Sequence, residues 1–250
     1  MSNIKLITAF IFNLTFLFAQ SPDTLYPVRI FTTDGYKLGY INNAGVLSIK
    51  PLYAFARDFN NGRAFVKIDI NSDIWQCLST TGKTEFELLA KYVYDYKHDQ
   101  AKVLSLADSV YYIDLYGKSV EPVVITAPES YNDLFPFSEN GKYGFKGKAD
   151  NLVLPAIYEM AGEFSEGLAP VFIKFSESDI PTDNCYNAFI NEKGEVVIKA
   201  ELKYDDRGFL ESGYFYSPER WKNGVCRYYT SNDPLTRAEK YIRNDGKVIW

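Results

Sequence analysis

Histidine is all but missing from this chain: the 250 residues contain one, His98, in the polar stretch Lys97-His98-Asp99-Gln100. A serine or cysteine nucleophile served by an imidazole would have to use it, and no G-x-S-x-G elbow accompanies it. A lone histidine with no cysteine or aspartate at ligand spacing is no zinc site, so His98 reads as a surface turn residue. Cysteine is almost as scarce. Cys77, Cys185 and Cys226 form no C-x-x-C pair and are odd in number, which argues against a disulfide framework. Cys185 and Cys226 read as lying on neighbouring strands and could pair in an oxidising compartment; buried thiols are the plainer expectation. Positive charge is not in excess either. With 27 Lys and Arg against 32 Asp and Glu, the net charge is −5, and the clustered cations that displace counterions from nucleic acid phosphates are lacking.

Long apolar runs are limited to one. Leu6 to Ala19 is apolar apart from Thr8, Asn13 and Thr15, follows Lys5, and turns polar at Gln20-Ser21-Pro22-Asp23. About 14 such residues are short for a hydrocarbon core roughly 30 Å thick and suit the apolar region of a secretory signal. The expectation is a signal peptide over 1–19, a single domain over 20–250, export to periplasm, cell surface or medium, and no membrane insertion once the signal is removed. A retained anchor is the competing reading. Uninterrupted helical periodicity is also missing, and Met is rare.

Aromatic residues are abundant instead: 20 Tyr and 18 Phe bring the aromatic share to 16%. Flat rings pack well on pleated surfaces, so the class expected is all-β. A repeat is visible when the turn after each aromatic strand is taken as an anchor. Gly45, Gly82, Gly117, Asp150, Gly194 and Gly246 each follow by five positions an aromatic or a cysteine, namely Tyr40, Cys77, Tyr112, Phe145, Phe189 and Tyr241. The anchors are 37, 35, 33, 44 and 52 residues apart, which gives a unit of roughly 35 with late insertions. Within a unit, strand A is the aromatic piece, the anchor supplies a residue that tolerates φ > 0, and strand B is the apolar run such as Val196-Val197-Ile198. Pro51, Pro122 and Pro155 read as the end of strand B. A connector with Tyr53, Tyr158 or Tyr204 follows. A second turn, as in Phe59-Asn60-Asn61-Gly62 or Phe164-Ser165-Glu166-Gly167, then launches strand C. The fold expected is a tandem array of about six three-stranded β units. Val28 to Phe31 reads as a strand C without a preceding unit, and Tyr241 to Trp250 as A and B without a C. That split allows a closed propeller-like ring joined through the terminal halves, with an open β array as the alternative.

These residues resemble the bacterial WG repeats, also described as KWG repeats, whose pattern is approximately W-G-[FY]-I-D-x-x-G-x-x-V-I-P-x-x-Y followed by F-x-[ED]-G-x-A-x-V. Tyr143-Gly144-Phe145, Pro155, Tyr158, Phe164 to Gly167, Ala169 and Val171 match it closely. Leu38 to Ile41, Gly45, Pro51, Tyr53, Phe59, Gly62, Ala64 and Val66 match nearly as well, and Phe189-Ile190-Asn191 with Gly194 gives a good half copy. The units around Gly82 and Gly117 are degenerate, and of the three tryptophans Trp75 alone stands at the Trp position. The resemblance implies structural motif residues, a bacterial and often exported protein, and no catalytic residue to carry over.

Other candidate chemistry reads as structure. Gly141 to Lys148 lacks Walker A spacing, has Ala149 where the hydroxyl should be, and reads as a hairpin. The acid pairs Asp205-Asp206 and Glu163 with Glu166 have nothing to fix them across a cleft as glycosidase carboxylates. Asp69, Asn71 and Asp73 alternate like a calcium loop but lack its closing glutamate. No cofactor or metal is expected. The insertion from Phe209 to Trp221 breaks the period, and its Tyr214, Phe215, Tyr216 and Trp221 are candidates for partner binding, against the alternative that they fill space between units. The function expected is a non-catalytic interaction surface for protein partners at the cell envelope. A carbohydrate-binding module using exposed Tyr and Trp is the alternative, and a degenerate glycosidase-like enzyme a remote third.

Overall fold

The structure, a computed structural model, describes residues 24–123, 133–174, 185–200, 203–204, 210–212, 214–231 and 237–250. The expected signal segment 1–19 and the acid pair Asp205-Asp206 lie outside the described residues. None of the described residues is helical, and every strand pairing is antiparallel.

Six small open sheets follow one another along the chain. The first is β1 (Tyr26–Thr32), β2 (Gly35–Ile41) and β3 (Leu47–Tyr53). The second is β4 (Phe55–Ala56), β5 (Arg63–Lys67), β6 (Ile74–Ser79) and β7 (Thr84–Leu89). The third is β8 (Tyr92–Val93), β9 (Ala101–Leu104), β10 (Val110–Ile113) and β11 (Ser119–Val120). The fourth is β12 (Leu134–Glu139), β13 (Lys142–Gly147) and β14 (Leu152–Tyr158). The fifth uses β15 (Met160–Ala161), β16 (Leu168–Phe172), β18 (Ala188–Asn191) and β19 (Val196–Lys199). The sixth uses β17 (Cys185–Tyr186), β22 (Phe215–Tyr216), β23 (Val225–Tyr229) and β24 (Glu239–Arg243), while β20 (Lys203–Tyr204) and β21 (Leu210–Ser212) pair with each other.

The count of six units holds; their composition needs three corrections. Three of the sheets have a two-residue strand at the edge beside strand C, because the connector after strand B pairs with C, and in the sixth sheet β22 takes that place with β17 beyond it. No unit is split between the termini. Each sheet is assembled in the order C, A, B, so Val28 to Phe31 pairs with Lys37 to Gly39 and its neighbours, and not with Tyr241 to Trp250. Pro51 and Pro155 do not end strand B. They sit inside β3 and β14 at a bulge, where register slips between Tyr40↔Ile49 and Leu38↔Tyr53, and between Phe145↔Leu154 and Tyr143↔Tyr158. A residue that cannot donate to the ladder is tolerated at such an interruption.

All six anchors have positive φ, from 59° at Asp150 to 83° at Gly246, as a tight A-to-B turn requires. Asn42, Asp114 and Asn191 stabilise three of these turns by accepting the backbone N–H groups two and four residues on.

Neighbouring sheets pack face to face through aromatic and aliphatic side chains. Tyr40 and Tyr53 of the first sheet meet Ala64, Val66 and Leu78 of the second, and Phe65, Trp75 and Cys77 of the second meet Val93, Val103 and Ile113 of the third. Phe145 and Tyr158 of the fourth meet Val171 and Ile190 of the fifth, and Phe189 and Ile198 of the fifth meet Phe215, Cys226 and Ile242 of the sixth. The last sheet then packs on the first: Val225 and Tyr241 bury Tyr26, Val28 and Ile41, and the Tyr241 hydroxyl donates to the Pro27 carbonyl. The chain ends therefore meet by side-chain packing without a shared strand ladder. Gly45 lies at this contact, where an added Cβ would overlap the Ile249 carbonyl. Gly45→Ala is expected to cost about 3 kcal/mol, an overlap added to the left-handed backbone penalty. Gly35→Ala, with similar φ and nothing within 4 Å, should cost about 1 kcal/mol in the same urea titration.

Candidate functional site

The second turns of the repeat converge on one end of the molecule. Four of them, Asn61-Gly62, His98-Asp99, Glu166-Gly167 and Asn223-Gly224, have both central residues at positive φ, the type I′ geometry of a two-residue hairpin. Two residues before each stands a buried ring, Phe59, Tyr96, Phe164 or Trp221, that roots the tip in a junction between sheets. Phe59 packs edge-on against Tyr40, Phe164 against Phe145 and Trp221 against Phe189, with centroids 4.7 to 5.1 Å apart. The repeat thus spends one aromatic per unit on holding a turn in place.

The tips are tied to one another as well. Asn61 Nδ2 donates to Asp99 Oδ1 at 2.7 Å, joining the second and third sheets. Glu166 accepts the N–H groups of Asn223 at 2.6 Å and Gly224 at 2.8 Å, and Ser165 Oγ donates to the Trp221 carbonyl at 3.0 Å, joining the fifth and sixth. Lys222 Nζ reaches past the first sheet to Asn60 at 2.9 Å and lies 3.7 Å from Asp58. Tyr26 fills the space beneath, its hydroxyl donating to the Lys222 carbonyl at 3.0 Å; burial, with Glu166 and Asp58 adding to it, pushes this hydroxyl's pKa well up.

A cavity of about 720 Å³ opens between the tips of the second, third and sixth sheets. Its wall carries Asp58, Asp95 and Glu219 alongside Lys97, Arg220 and Lys222. The three carboxylates are each engaged: Asp95 by Arg57 at 3.2 Å, Asp58 by Lys222, and Glu219 by Arg227. Carboxylates held this way present fixed charge to a ligand. His98 is at the rim, exposed, in the turn where the sequence puts it. Among the described residues, no group of three His, Cys, Asp or Glu side chains could hold a metal ion.

The four aromatic candidates lie elsewhere than expected. Tyr214, Phe215 and Trp221 are buried, and Tyr216 is half-buried. Tyr214 packs on Phe172 and Phe215 on Phe189 and Tyr228, so these rings fill the junction between the fifth and sixth sheets. Tyr214 and Phe215 are placed as the space-filling alternative has them, while Trp221 is buried and lines the cavity wall. The sequence misleads here because an insertion rich in aromatics can as well complete a core as decorate a loop.

The cysteines follow the plainer expectation, although Cys185 and Cys226 are not on neighbouring strands. Cys185 is on β17 and Cys226 on β23, with β22 between them, so their backbones are at least about 10 Å apart, beyond disulfide reach. All three cysteines are buried thiols. Burial pushes Cys77 up to about 11, despite its hydrogen bond with Tyr96, and pushes Cys226 up further. With all three thiols buried and so little thiolate at Cys77 and Cys226 at pH 8, Ellman's reagent should label none of them in the native chain and all three after unfolding. Fast labelling of the native chain would contradict the placement.

Comparison with known proteins agrees with the strand pattern. Residues 39–69 and 143–174 match the family described as WG containing repeat, and these are the two copies in which both halves of the motif are strongest. No curated protein matches the chain. Among solved structures, Hsv2 of Kluyvelomyces marxianus is similar at 9% identity over 88% of this chain and 92% of that one, with a TM-score of 0.31. BamB from Moraxella catarrhalis is similar at 8% identity over 91% and 89%, with a TM-score of 0.25. Likenesses this distant decide nothing about the site. The firmer likeness is the repeat: residues 39–69 and 143–174 match the WG containing repeat, consistent with a WG-repeat family.

Proposed function

We propose that this chain is an exported, non-catalytic scaffold that holds a protein partner at the cell envelope through its turn tips. One observation carries the reading: the tips bordering the cavity are rooted by buried rings and braced by one another, so a polar, charged wall is preformed. A preformed wall binds without the ordering cost that a flexible loop would incur. Export is supported by the apolar Leu6 to Ala19 segment with its polar follow-on. Catalysis is disfavoured by the engagement of Asp58, Asp95 and Glu219 with neighbouring cations, which leaves no uncommitted acid–base pair in the cavity.

The carbohydrate reading calls for coplanar exposed rings. The pairs Phe31–Tyr36 and Tyr92–Tyr94 are instead tilted by 68° and 74°. Edge-on pairs do not make the flat platform on which sugars stack, so a protein partner is preferred. The test is site-specific photocrosslinking in intact cells with benzoylphenylalanine at Asn61 or Lys97, and at Lys50 as a control. The expected result is one discrete protein adduct from both tip positions and none from Lys50, in a fraction outside the cytoplasm. Equal adducts from all three positions, or no adduct with tryptophan fluorescence quenched by envelope polysaccharide, would overturn it.

A further inference from the structure

The junction between the last sheet and the first carries a carboxylic acid at a position where the other units have none. Two residues before the aromatic or cysteine of strand A stand Leu38, Trp75, Val110, Tyr143, Asn187 and Glu239 in the six units. Side chains alternate along a strand, so Glu239 shares a face of β24 with Tyr241. Tyr241 is buried with Tyr26, Val28 and Ile41 of the first sheet. There its hydroxyl stands within hydrogen-bond reach of two acceptors, the carbonyl of buried Pro27 on β1 and Glu239 Oε1 at 2.9 Å. A phenol has a single proton to donate, the carbonyl can only accept, and an ionised carboxylate can only accept as well. With Glu239 ionised, the two acceptors compete for that proton. With Glu239 protonated, its own O–H bonds to the Tyr241 oxygen, the phenol proton goes to Pro27, and every group is satisfied.

We infer that Glu239, Tyr241 and Pro27 form a pH-responsive latch, which holds the last sheet on the first while the Glu239 carboxyl carries its proton and slackens when that proton is lost. The surroundings set where on the pH scale this falls. Arg227 of β23, the Tyr241 hydroxyl and Arg29 of β1 favour the carboxylate, whereas Glu219, which pairs with Arg227, opposes it. Arg237 is a further cation on this strand pair, 4.9 Å from the ring centroid of Tyr229, which is in register with Glu239. Burial outweighs the attractions and raises the Glu239 carboxyl above its ordinary value of 4.5. Burial also pushes the Tyr241 hydroxyl well up, so the phenol keeps its proton throughout. A carboxyl that holds its proton more tightly in the closed seam than in the open chain adds stability below its ordinary titration range. That contribution is lost as the pH rises through the raised value. What loosens the seam is the Pro27 carbonyl, a buried acceptor whose donor is drawn towards the carboxylate. Glu219 also lines the tip cavity, which puts the network beside the proposed partner site, but the latch does not depend on that reading.

Hydrogen exchange of the full chain at about pH 5 and about pH 8, corrected for the intrinsic pH dependence of amide exchange, tests the latch. Peptides from 24–32 and 237–250 report the seam, and 101–113 serves as a remote reference. In the wild-type chain, exchange of the seam peptides relative to the reference should rise about threefold or more from the lower pH to the higher, as the loss of one hydrogen bond implies. Glu239→Gln, whose amide is a donor at every pH, should keep the seam at its low-pH protection and remove the change. Tyr241→Phe, which removes the relay, should speed exchange of the seam at both pH values while 101–113 stays protected. Seam exchange that does not change with pH in the wild-type chain would overturn the proposal. So would a pH dependence that persists in Glu239→Gln, which would assign the titration to another group.

Discussion

Gly144→Ala should be among the most damaging single-methyl additions possible in this chain, with an expected loss of about 3 kcal/mol or more. Gly144 has ordinary backbone angles, so its need for glycine is steric. The bulge in β14 carries the backbone of Leu154 to Ala156 across it, and a Cβ would come to 2.5 Å from the Leu154 carbonyl oxygen and 2.7 Å from the Pro155 carbonyl carbon. Backbone atoms cannot rotate aside as a side-chain end can. The strand would have to lift off, and with it Leu154 and Tyr158, which seal the junction to the fifth sheet. Gly39 repeats the arrangement with the Ile49 carbonyl oxygen at 2.6 Å. This gives the glycine of the WG motif a physical role: it admits the crossing of a bulged, proline-bearing strand. The control is Gly141→Ala, which meets nothing within 4 Å and should cost about 1 kcal/mol through its φ of +76° alone. For a chain of this size, 3 kcal/mol corresponds to about 6–12 °C in Tm. Equal Tm losses at Gly141 and Gly144 would show that the crossing is not tight.

The second large effect is expected at Phe189, and its contrast with Tyr112 matters more than its size. Both residues stand five positions before an anchor. Phe189 is fully buried, with Phe215 and Trp221 at centroid distances of 5.0 and 5.1 Å, so Phe189→Ala should cost about 3–5 kcal/mol by the lost transfer energy and the cavity left behind. Tyr112 is half-buried and outside the buried clusters of the described residues, and Tyr112→Ala should cost about 1 kcal/mol or less. Urea unfolding of the two variants measures the difference directly. Equal losses would show that the Tyr112 ring is packed as closely as that of Phe189.

The repeat itself was readable because its grammar is local. An aromatic, a turn residue at fixed distance and an apolar run follow from backbone sterics and strand periodicity, and all six anchors duly take positive φ. The tips were equally legible, since Asn-Gly and Glu-Gly preceded by an aromatic mark a type I′ hairpin. The cut between units was not. Strands A and B are adjacent in sequence to C on both sides, and only pairing reveals that C joins the A that follows. In the sequence Pro155 reads as a strand end because a missing donor breaks a regular ladder, but a bulge supplies a place where that donor is not needed. Of the site, the tip residues could be named in advance while the cavity could not, because it is lined from different sheets by residues 34 or more apart in the chain. One departure from the repeat was present in the letters: Lys146 stands where five other copies carry Ile or Leu. Without knowing that this position faces the preceding sheet, a single lysine in a strand has no special meaning.

What the sequence by itself determined is the all-β class, the number of units and the conformation of each turn, since those depend on residues within a few positions of one another. Tertiary structure alone decided where the aromatics are used. The rings of Tyr214, Phe215 and Trp221 are buried because the fifth sheet lies over them, while Tyr112 is half-buried and outside the buried cluster that its own sheet shares with the second. Burial is a property of what comes to rest against a residue, and in a repeat array that neighbour belongs to another unit.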